Sequence, residues 1–513
     1  MRRLLPSAAL VVVVAAAAFA ATLGGRSSAR ASAALPVPQP TVSDFAQLTT
    51  STTPPTKAQC FTANSDSGGR RCFTPQSIRA AYNVDALTKA TGATGAGQTI
   101  AIIDSFGSDT IAHDLHVFDQ AFSVQPMCGE EAVTCTSGMP SFSQLSLQGS
   151  PPTTQNPGKS PGLENRAGWA LEVALDVEWA HSVAPGANIL LVHTPTAETL
   201  GVQGFPQIMR AEDYVVKHHL ATVITQSLAA PEESFGSVQS LLNLRYAFQD
   251  AAANGVTVLG STGDSGTANS TKQSLVGNSN HGPDSLIPFP TVNWPASDPL
   301  VTAIGGTYLC TDPAATAGRT VDSTDPPSTC QNNPGIAEIG WIDSGGGFSH
   351  IFSRPDYQGN LPAGSTAIPA GSRGIPDVAY QASSRTGVLV YLSLPPNDTS
   401  GAPCGPAGSA PCSSGWYIVG GTSAGSPQWA GLVALADQLN HGGLGPINTA
   451  LYKIASNPTQ YSSDFYDVTT GNNTVVSSVP GYPATTGWDP VTGLGTPNAA
   501  RLIPDLVAAV NGP

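Results

Sequence analysis

A serine that follows a glycine-rich turn and opens a helix is the first residue here with covalent chemistry in reach. In Gly420-Gly421-Thr422-Ser423-Ala424-Gly425-Ser426-Pro427 the glycines permit a tight turn. A helix is expected over Ala424 to Leu439, with Pro427 in its first turn, where a missing N–H is not needed. Ser423 then stands at a helix N-terminus. Backbone N–H groups and the helix dipole there favour the negative charge that develops when a hydroxyl attacks a carbonyl. The same pattern also suits a Ser/Thr helix cap after a glycine turn.

A serine nucleophile needs a base. The chain has nine histidines. His113 and His116 follow a strand ending at Asp104, similar to the Asp-then-His order of subtilisins, but neither lies in the glycine-flanked histidine segment of those enzymes. Partly exposed helix residues describe both equally well. Better partners are Glu172 and Asp176, four residues apart, which a helix places on one face one turn apart. Their neighbours Trp169, Leu171, Val173, Ala174, Leu175, Val177 and Trp179 are apolar. Two carboxyls in such company repel each other and resist desolvation, so one should keep its proton to unusually high pH. Viewed alone, the helix could instead present a solvated acidic face. A third acid, Asp264, sits in Gly260-Ser261-Thr262-Gly263-Asp264-Ser265-Gly266 after a strand, where it can enter a cleft or simply close an Asx turn.

These residues need a scaffold. Strands are expected at Thr99–Ile103, Asn188–His193, Thr222–Thr225 and Val256–Leu259, with helices at Gln76–Tyr82, Ala167–His181, Leu241–Asn254 and Ala424–Leu439. Short apolar strands alternating with helices predict an α/β fold whose mostly parallel sheet is flanked by helices on both faces. Ligands in such folds bind at loops beyond the strand ends.

The whole chain narrows the class further. It has 513 residues, 35 acidic against 21 basic, for a formal net charge of -14. An acidic surface repels phosphate backbones and argues against nucleic acid as a partner. With only 11% of residues charged, few ion pairs are lost when carboxylates protonate, which suits low pH. Arg2 and Arg3, the apolar run Leu10 to Ala21, and Ala31-Ser32-Ala33 read as a signal peptide over 1–33, which implies secretion and no membrane attachment after its removal. Residues 34–72 form a Pro/Thr/Ser/Ala-rich leader without periodicity, with order expected to begin near Cys72. A domain over 73–513 follows. Eight cysteines in an exported chain predict disulfides, most simply as the sequential pairs Cys60/Cys72, Cys128/Cys135, Cys310/Cys330 and Cys404/Cys412, although sequence alone leaves connectivity open.

From about Thr74 to near its end, the chain resembles the sedolisins, the serine-carboxyl peptidases with a subtilisin-like fold. The resemblance is carried by an ordered set of segments: Ile102-Ile103-Asp104, the Glu172/Asp176 helix, Ser182-Val183-Ala184-Pro185-Gly186-Ala187 and Gly263-Asp264-Ser265-Gly266. It continues through Trp294-Pro295-Ala296-Ser297-Asp298-Pro299, Gly305-Gly306-Thr307, Gly345-Gly346-Gly347-Phe348-Ser349, Pro376-Asp377-Val378-Ala379 and Gly421-Thr422-Ser423. It implies Ser423 as nucleophile, Glu172 as general base and acid, Asp176 as the residue that orients Glu172, and a protonated Asp264 that shares the oxyanion hole with the Ser423 N–H. It further implies acid-active endopeptidase chemistry on protein and peptide substrates. One structural Ca2+ is implied on Asp467, Val468, Thr485, Gly487 and Asp489, the first and last through carboxylates and the others through carbonyls. A monomer is the expected state.

Two features depart from the family pattern. The leader is too short for the long folded prosegment with which sedolisins are usually made, and Gln226-Ser227-Leu228-Ala229-Ala230 replaces the common Ser-aromatic-Gly turn. The competing functional readings are a histidine-dependent serine peptidase working near neutral pH and a non-catalytic binding protein on a peptidase scaffold.

Overall fold

The computed structural model describes residues 39–40, 45–62, 69–149, 166–195, 204–270, 286–393 and 413–512, with backbone alone at 39–40 and 166–168. The expected signal peptide and the Cys404/Cys412 pair lie outside these residues. The other three cysteine pairs are bonded as expected.

The chain opens with β1 (Gln39–Pro40), β2 (Phe45–Thr49), α1 (Lys57–Thr62), α2 (Pro75–Ala81) and α3 (Val84–Thr91). There follow β3 (Thr99–Ser105), α4 (Ile111–Phe122), β4 (Phe142–Ser146), α5 (Arg166–Val183), β5 (Asn188–Thr194), α6 (Phe205–Lys217) and β6 (Val223–Gln226). Next come β7 (Leu228–Pro231), α7 (Val238–Leu242), α8 (Tyr246–Ala253), β8 (Thr257–Ser261), β9 (Asn293–Trp294), β10 (Thr302–Leu309), α9 (Ser328–Gln331) and β11 (Glu338–Gly340). Then come β12 (Gly347–Phe348), β13 (Gly374–Ile375), β14 (Val378–Gln381), β15 (Val388–Leu392), β16 (Gly415–Val419), α10 (Thr422–Asn440) and α11 (Asn448–Ala455).

The main sheet has the order β11-β10-β8-β6-β3-β5-β4, with β14 also on β10. Its ladders are parallel except that of β11. Strand alternation divides the core between the two faces. On β3, Ile100 and Ile102 pack with Leu171 and Leu175 of α5 and Leu432 of α10, whereas Ala101 and Ile103 pack with Met209 of α6 and Phe248 of α8. The expected α/β architecture with helices on both faces is therefore the one observed. The helix expected over Leu241–Asn254 is instead two, α7 and α8. Ser237 caps the first, and between them Arg245 turns to make two hydrogen bonds with Asp298, 2.5 and 3.0 Å.

Order begins earlier than expected. Within the supposed leader, β2 adds to β16, Phe45 opposite Val419 and Ala46 opposite Ile418, in a sheet of order β15-β16-β2. Phe45, Ala46 and Leu48 pack on the core, and Cys60 of α1 is buried. The partner strand is remote in sequence, so local composition gives no sign of the pairing. Buried Arg71 clasps the same region to the 311–326 loops through four backbone carbonyls, those of Pro326, Thr311, Asp322 and Asp325, at 2.7 to 3.0 Å.

Several of the quoted segments are structural joints. Asp377 receives Arg373 through both oxygens (3.0 and 2.7 Å), the Ala303 N–H (2.8 Å) and the Tyr452 hydroxyl of α11 (3.0 Å), all without solvent exposure of either charge. Removing one partner of a buried pair leaves an uncompensated charge, at about 3–5 kcal/mol. Asp377→Ala is therefore expected to destabilise the fold by about that amount, read as a lower denaturant midpoint; an unchanged midpoint would show the joint to be dispensable.

Candidate active site

The glycine turn works as anticipated at Gly421, whose φ of 105° is one that side-chain-bearing residues rarely adopt. The helix starts sooner than expected. Thr422 and Ser423 already lie inside α10, so Pro427 falls in its second turn and cannot donate to the Ser423 carbonyl. Asp264 caps this helix: its Oδ1 accepts from the Thr422 N–H (2.8 Å) and the Thr422 hydroxyl (3.0 Å), and that hydroxyl accepts from the Gly263 N–H (2.9 Å). The Asp264 loop is backed by Gly345, which donates to the Gly263 carbonyl at 2.8 Å; a Cβ there would lie 2.1 Å from the Thr262 carbonyl oxygen.

α5 and α10 pack side by side. Thr225, near the end of β6, shares a 2.8 Å hydrogen bond with Ser426 of α10, and Ser227, two residues on, donates to Asp176 Oδ1 of α5 at 3.0 Å. Farther along, Gly431 abuts Ala180 and Val183 of α5. Both helices therefore run in the same direction. Ser423 lies about one turn before Ser426, and Glu172 about one turn before Asp176, so the alignment places them level. Glu172, Asp176 and Ser423 have no solvent exposure and Asp264 only 8%. A solvated acidic face is ruled out. Burial holds the Asp176 carboxyl well above the usual range, and the neighbouring Asp104 and Glu172 add to this.

Asp104 is the residue that the sequence reading left without a role. Alternation along β3 points it to the α5 side with Ile100 and Ile102, and one step beyond the observed β3–β6 register sets it opposite Ser227. It is fully buried, neither of its oxygens has a hydrogen-bond partner among the described residues, and burial pushes it up to about 8. Three carboxyls thus share one dry compartment. The signal for Asp104 was its place at the end of an apolar strand, but only the packing of β3 on α5 gives that place a meaning.

The residues expected to hold calcium lie elsewhere, around the loop 485–492. Asp489 is buried and accepts from the N–H groups of Val491, Thr492 and Thr485 (2.8–3.1 Å), while Asp467 accepts from the Gly487 N–H. Both carboxylates stand beside the Tyr461 hydroxyl. Burial pushes Asp489 up to about 7. No backbone N–H among the described residues donates to the carbonyls of Val468, Thr485 or Gly487. Two carboxylates with three available carbonyls fit a hard divalent cation, although no group of three His, Cys, Asp or Glu side chains suited to a metal occurs among the described residues. His113 and His116 sit on α4, bonded to Glu131 and Glu130 respectively.

No family model matches the chain. Kumamolisin of Bacillus sp. (strain MN-32) is 30% identical over 453 residues, which cover 88% of this chain and 66% of that protein. Sedolisin of Pseudomonas sp. (strain 101) is 28% identical over 413 residues, 80% of this chain and 58% of that protein. The chain thus spans less than two thirds of either relative's length. Among solved structures, the serine-carboxyl proteinase sedolisin of Pseudomonas, complexed with two molecules of pseudo-iodotyrostatin, superposes with a TM-score of 0.58 at 26% identity, over 85% of this chain and 98% of that one.

The acid compartment makes stability depend on pH. Asp104 and Asp176 hold their protons more tightly in the folded chain than an unfolded carboxyl does, so the folded state binds more protons once pH exceeds about 4. Their contribution is complete below that pH, and the part due to Asp104 is lost as pH rises through about 8. Asp104→Asn is expected to flatten the fall of the thermal midpoint between about pH 4 and pH 8; an unaltered slope would show that Asp104 does not carry the proton.

Proposed function

The chain belongs to the sedolisin family, and from that premise we propose that it is a secreted, acid-active serine-carboxyl endopeptidase with Ser423 as its nucleophile. What carries this reading is the packing of a helix that opens on a serine against a buried helix that bears two carboxyls, aligned so that Ser423 and Glu172 are level.

Ser423 Oγ attacks the carbonyl carbon of the scissile peptide while ionised Glu172 takes the hydroxyl proton. Asp176 is the positioning residue. Its Oδ1 accepts from Ser227, while its Oδ2 has no hydrogen-bond partner among the described residues and, carrying the proton kept by burial, is free to turn to Glu172 in the working state. The carbonyl π electrons move to oxygen. Asp264 meets that oxyanion only if it is protonated, since an ionised carboxylate would repel it. Oδ1 of Asp264 already accepts two hydrogen bonds, so in this reading the proton sits on Oδ2. Collapse breaks the C–N bond, and Glu172 returns its proton to the leaving amine. Water then attacks the acyl-enzyme, gives a proton to Glu172, and the ester C–O bond breaks as Ser423 Oγ regains it.

The working state thus needs protons on Asp176, which burial retains well above the usual range, and on Asp264, and loss of either stops turnover. Activity on denatured protein is expected to fall from about pH 4 toward pH 7, and Ser423→Ala and Glu172→Gln each to lower kcat by about three orders of magnitude or more. Undiminished turnover in either variant would reject the role given to that residue, and a profile rising toward about pH 8 would favour an imidazole base.

The substrates in this reading are proteins and peptides outside the cell, met by a monomer without nucleic-acid partners. No helix among the described residues is long and apolar enough to cross a membrane. One structural Ca2+ on Asp467, Asp489 and the carbonyls of Val468, Thr485 and Gly487 would compensate the charge of buried Asp489 and tie down the 485–492 loop. A chelator is then expected to lower the thermal midpoint of the native chain and leave that of Asp489→Asn unaltered; equal response in both would place the ion elsewhere.

A further inference from the structure

β3 and β6 run side by side as far as the pair Ile103 and Gln226, and there they part. β6 ends at Gln226, and after Ser227 the chain continues as β7 in a different sheet. The ladder thus ends one step before Asp104 and Ser227, the residue that holds Asp176. On its other side β3 keeps its partner for longer, with Ser105 opposite Thr194 of β5.

The other face of this fork has an unexpected chemistry. Ile103, Val192 and Ile224 belong to the apolar cluster under α6 and α8, so alternation turns Ser105, Thr194 and Gln226 the same way. All three are without solvent exposure. Ser105 Oγ, Thr194 Oγ1 and both polar side-chain atoms of Gln226 have no hydrogen-bond partner among the described residues. Trp169, in the first turn of α5, reaches the same cluster, and its buried Nε1–H is likewise without a partner there. Buried polar atoms are nearly always hydrogen-bonded, and where the protein offers no partner an ordered water does. Two hydroxyls and an amide on the neighbouring strands β5, β3 and β6 supply the about two to four partners that such a water needs. Gln226 also opens the segment that departs from the family's Ser-aromatic-Gly turn.

We propose that the fork between β3 and β6 holds ordered water bound by Ser105, Thr194 and Gln226, and that Gln226 is through it a positioning residue for the acids on the opposite face. The positioning role rests on the peptidase reading above. A bridging water ties two groups nearly as well as a direct hydrogen bond. Between Gln226 and Ser105 it joins the two strands where their ladder ends. Ser105 follows Asp104 and Gln226 precedes Ser227, so the tie fixes the backbone on which Asp104 and the Ser227 hydroxyl stand. Asp176 takes its place from that hydroxyl.

The test uses the full chain. In a crystal structure fine enough to show ordered water, water is expected within hydrogen-bond distance of Ser105 Oγ, Thr194 Oγ1 and the Gln226 amide, and Gln226→Met is expected to lose or displace it. A dry fork, or these side chains bonded directly to one another, would overturn the proposal. The kinetic arm compares Gln226→Met, Ser105→Ala and the double variant on a peptide substrate at about pH 4. Each single substitution is expected to lower kcat about tenfold with KM unaltered, and the double variant to lose no more than either, because both act through one water. Gln226→Glu, whose carboxyl is an uncharged isostere of the amide at that pH, is expected to keep the native kcat. Unchanged kcat in the single variants, a change in KM alone, additive losses in the double variant, or a loss in Gln226→Glu equal to that in Gln226→Met would each reject the positioning role. If Gln226→Met does not fold, Ser105→Ala still decides it, by its effect on kcat. Should the native chain turn over no peptide at all, the peptidase reading fails and the positioning role with it, while the water in the fork is still decided by the crystal structure.

Discussion

A helix buried along its described length must dispose of every charge it carries. α5 brings Glu172, Asp176, Glu178 and His181 into the interior, each without solvent exposure. The surrounding elements answer these groups one by one. The Ser227 hydroxyl reaches Asp176 from the end of β6, the Tyr391 N–H on β15 reaches Glu178, and Asp119 of α4 reaches His181 at 3.1 Å. Burial alone would strip His181 of its proton, but Asp119 outweighs that and raises it. Burial drives Glu178 strongly the other way, toward its neutral acid. The fold and the chemistry therefore make the same demand: this interior tolerates carboxyls as acids far better than as carboxylates. Protons kept on Asp104 and Asp176 cost little extra in such a setting.

Much of this was legible in residue types. Trp169, Val173 and Val177 around Glu172 and Asp176 already argued for a dry helix, and a dry helix with two acids one turn apart already argued for a retained proton. The alternating cores on β3 follow from its period-two pattern. What stayed hidden depended on contacts between distant segments. Asp104 gains a role only because β3 lies beneath α5. Asp264 reads from sequence as either a cleft residue or an Asx-turn residue, and its carboxyl caps α10, a contact made with Thr422 across 158 positions of sequence. Phe45–Thr49 reads as part of a polar, proline-flanked leader because its partner, β16, lies more than 360 residues away, and no local periodicity records that pairing.

The glycine-rich and PDVA-like segments show a different kind of legibility. Their pattern marked a family, but not which positions carry chemistry and which carry load. Gly345 exists to let one loop lie against another behind Asp264, and Asp377 neutralises the buried Arg373 while gathering β10, β14 and α11. Motif residues and reacting residues overlap only in part, since a precise site needs rigid supports whose sequence is as constrained as its own.

The clasp made by Arg71 has a bearing on where such a molecule can live. Most buried guanidinium groups lean on a carboxylate, and that attachment dissolves when acid neutralises the partner. Arg71 leans instead on the peptide oxygens of Thr311, Asp322, Asp325 and Pro326. Amide carbonyls take up no proton in the range where carboxyls titrate, and the guanidinium itself never gives one up there. The hydrogen bonds of this seam thus outlast sourness, while the pull of Asp322, Asp325 and Asp312 on Arg71 and the Lys57–Asp325 pair beside it slacken as those carboxyls take up protons.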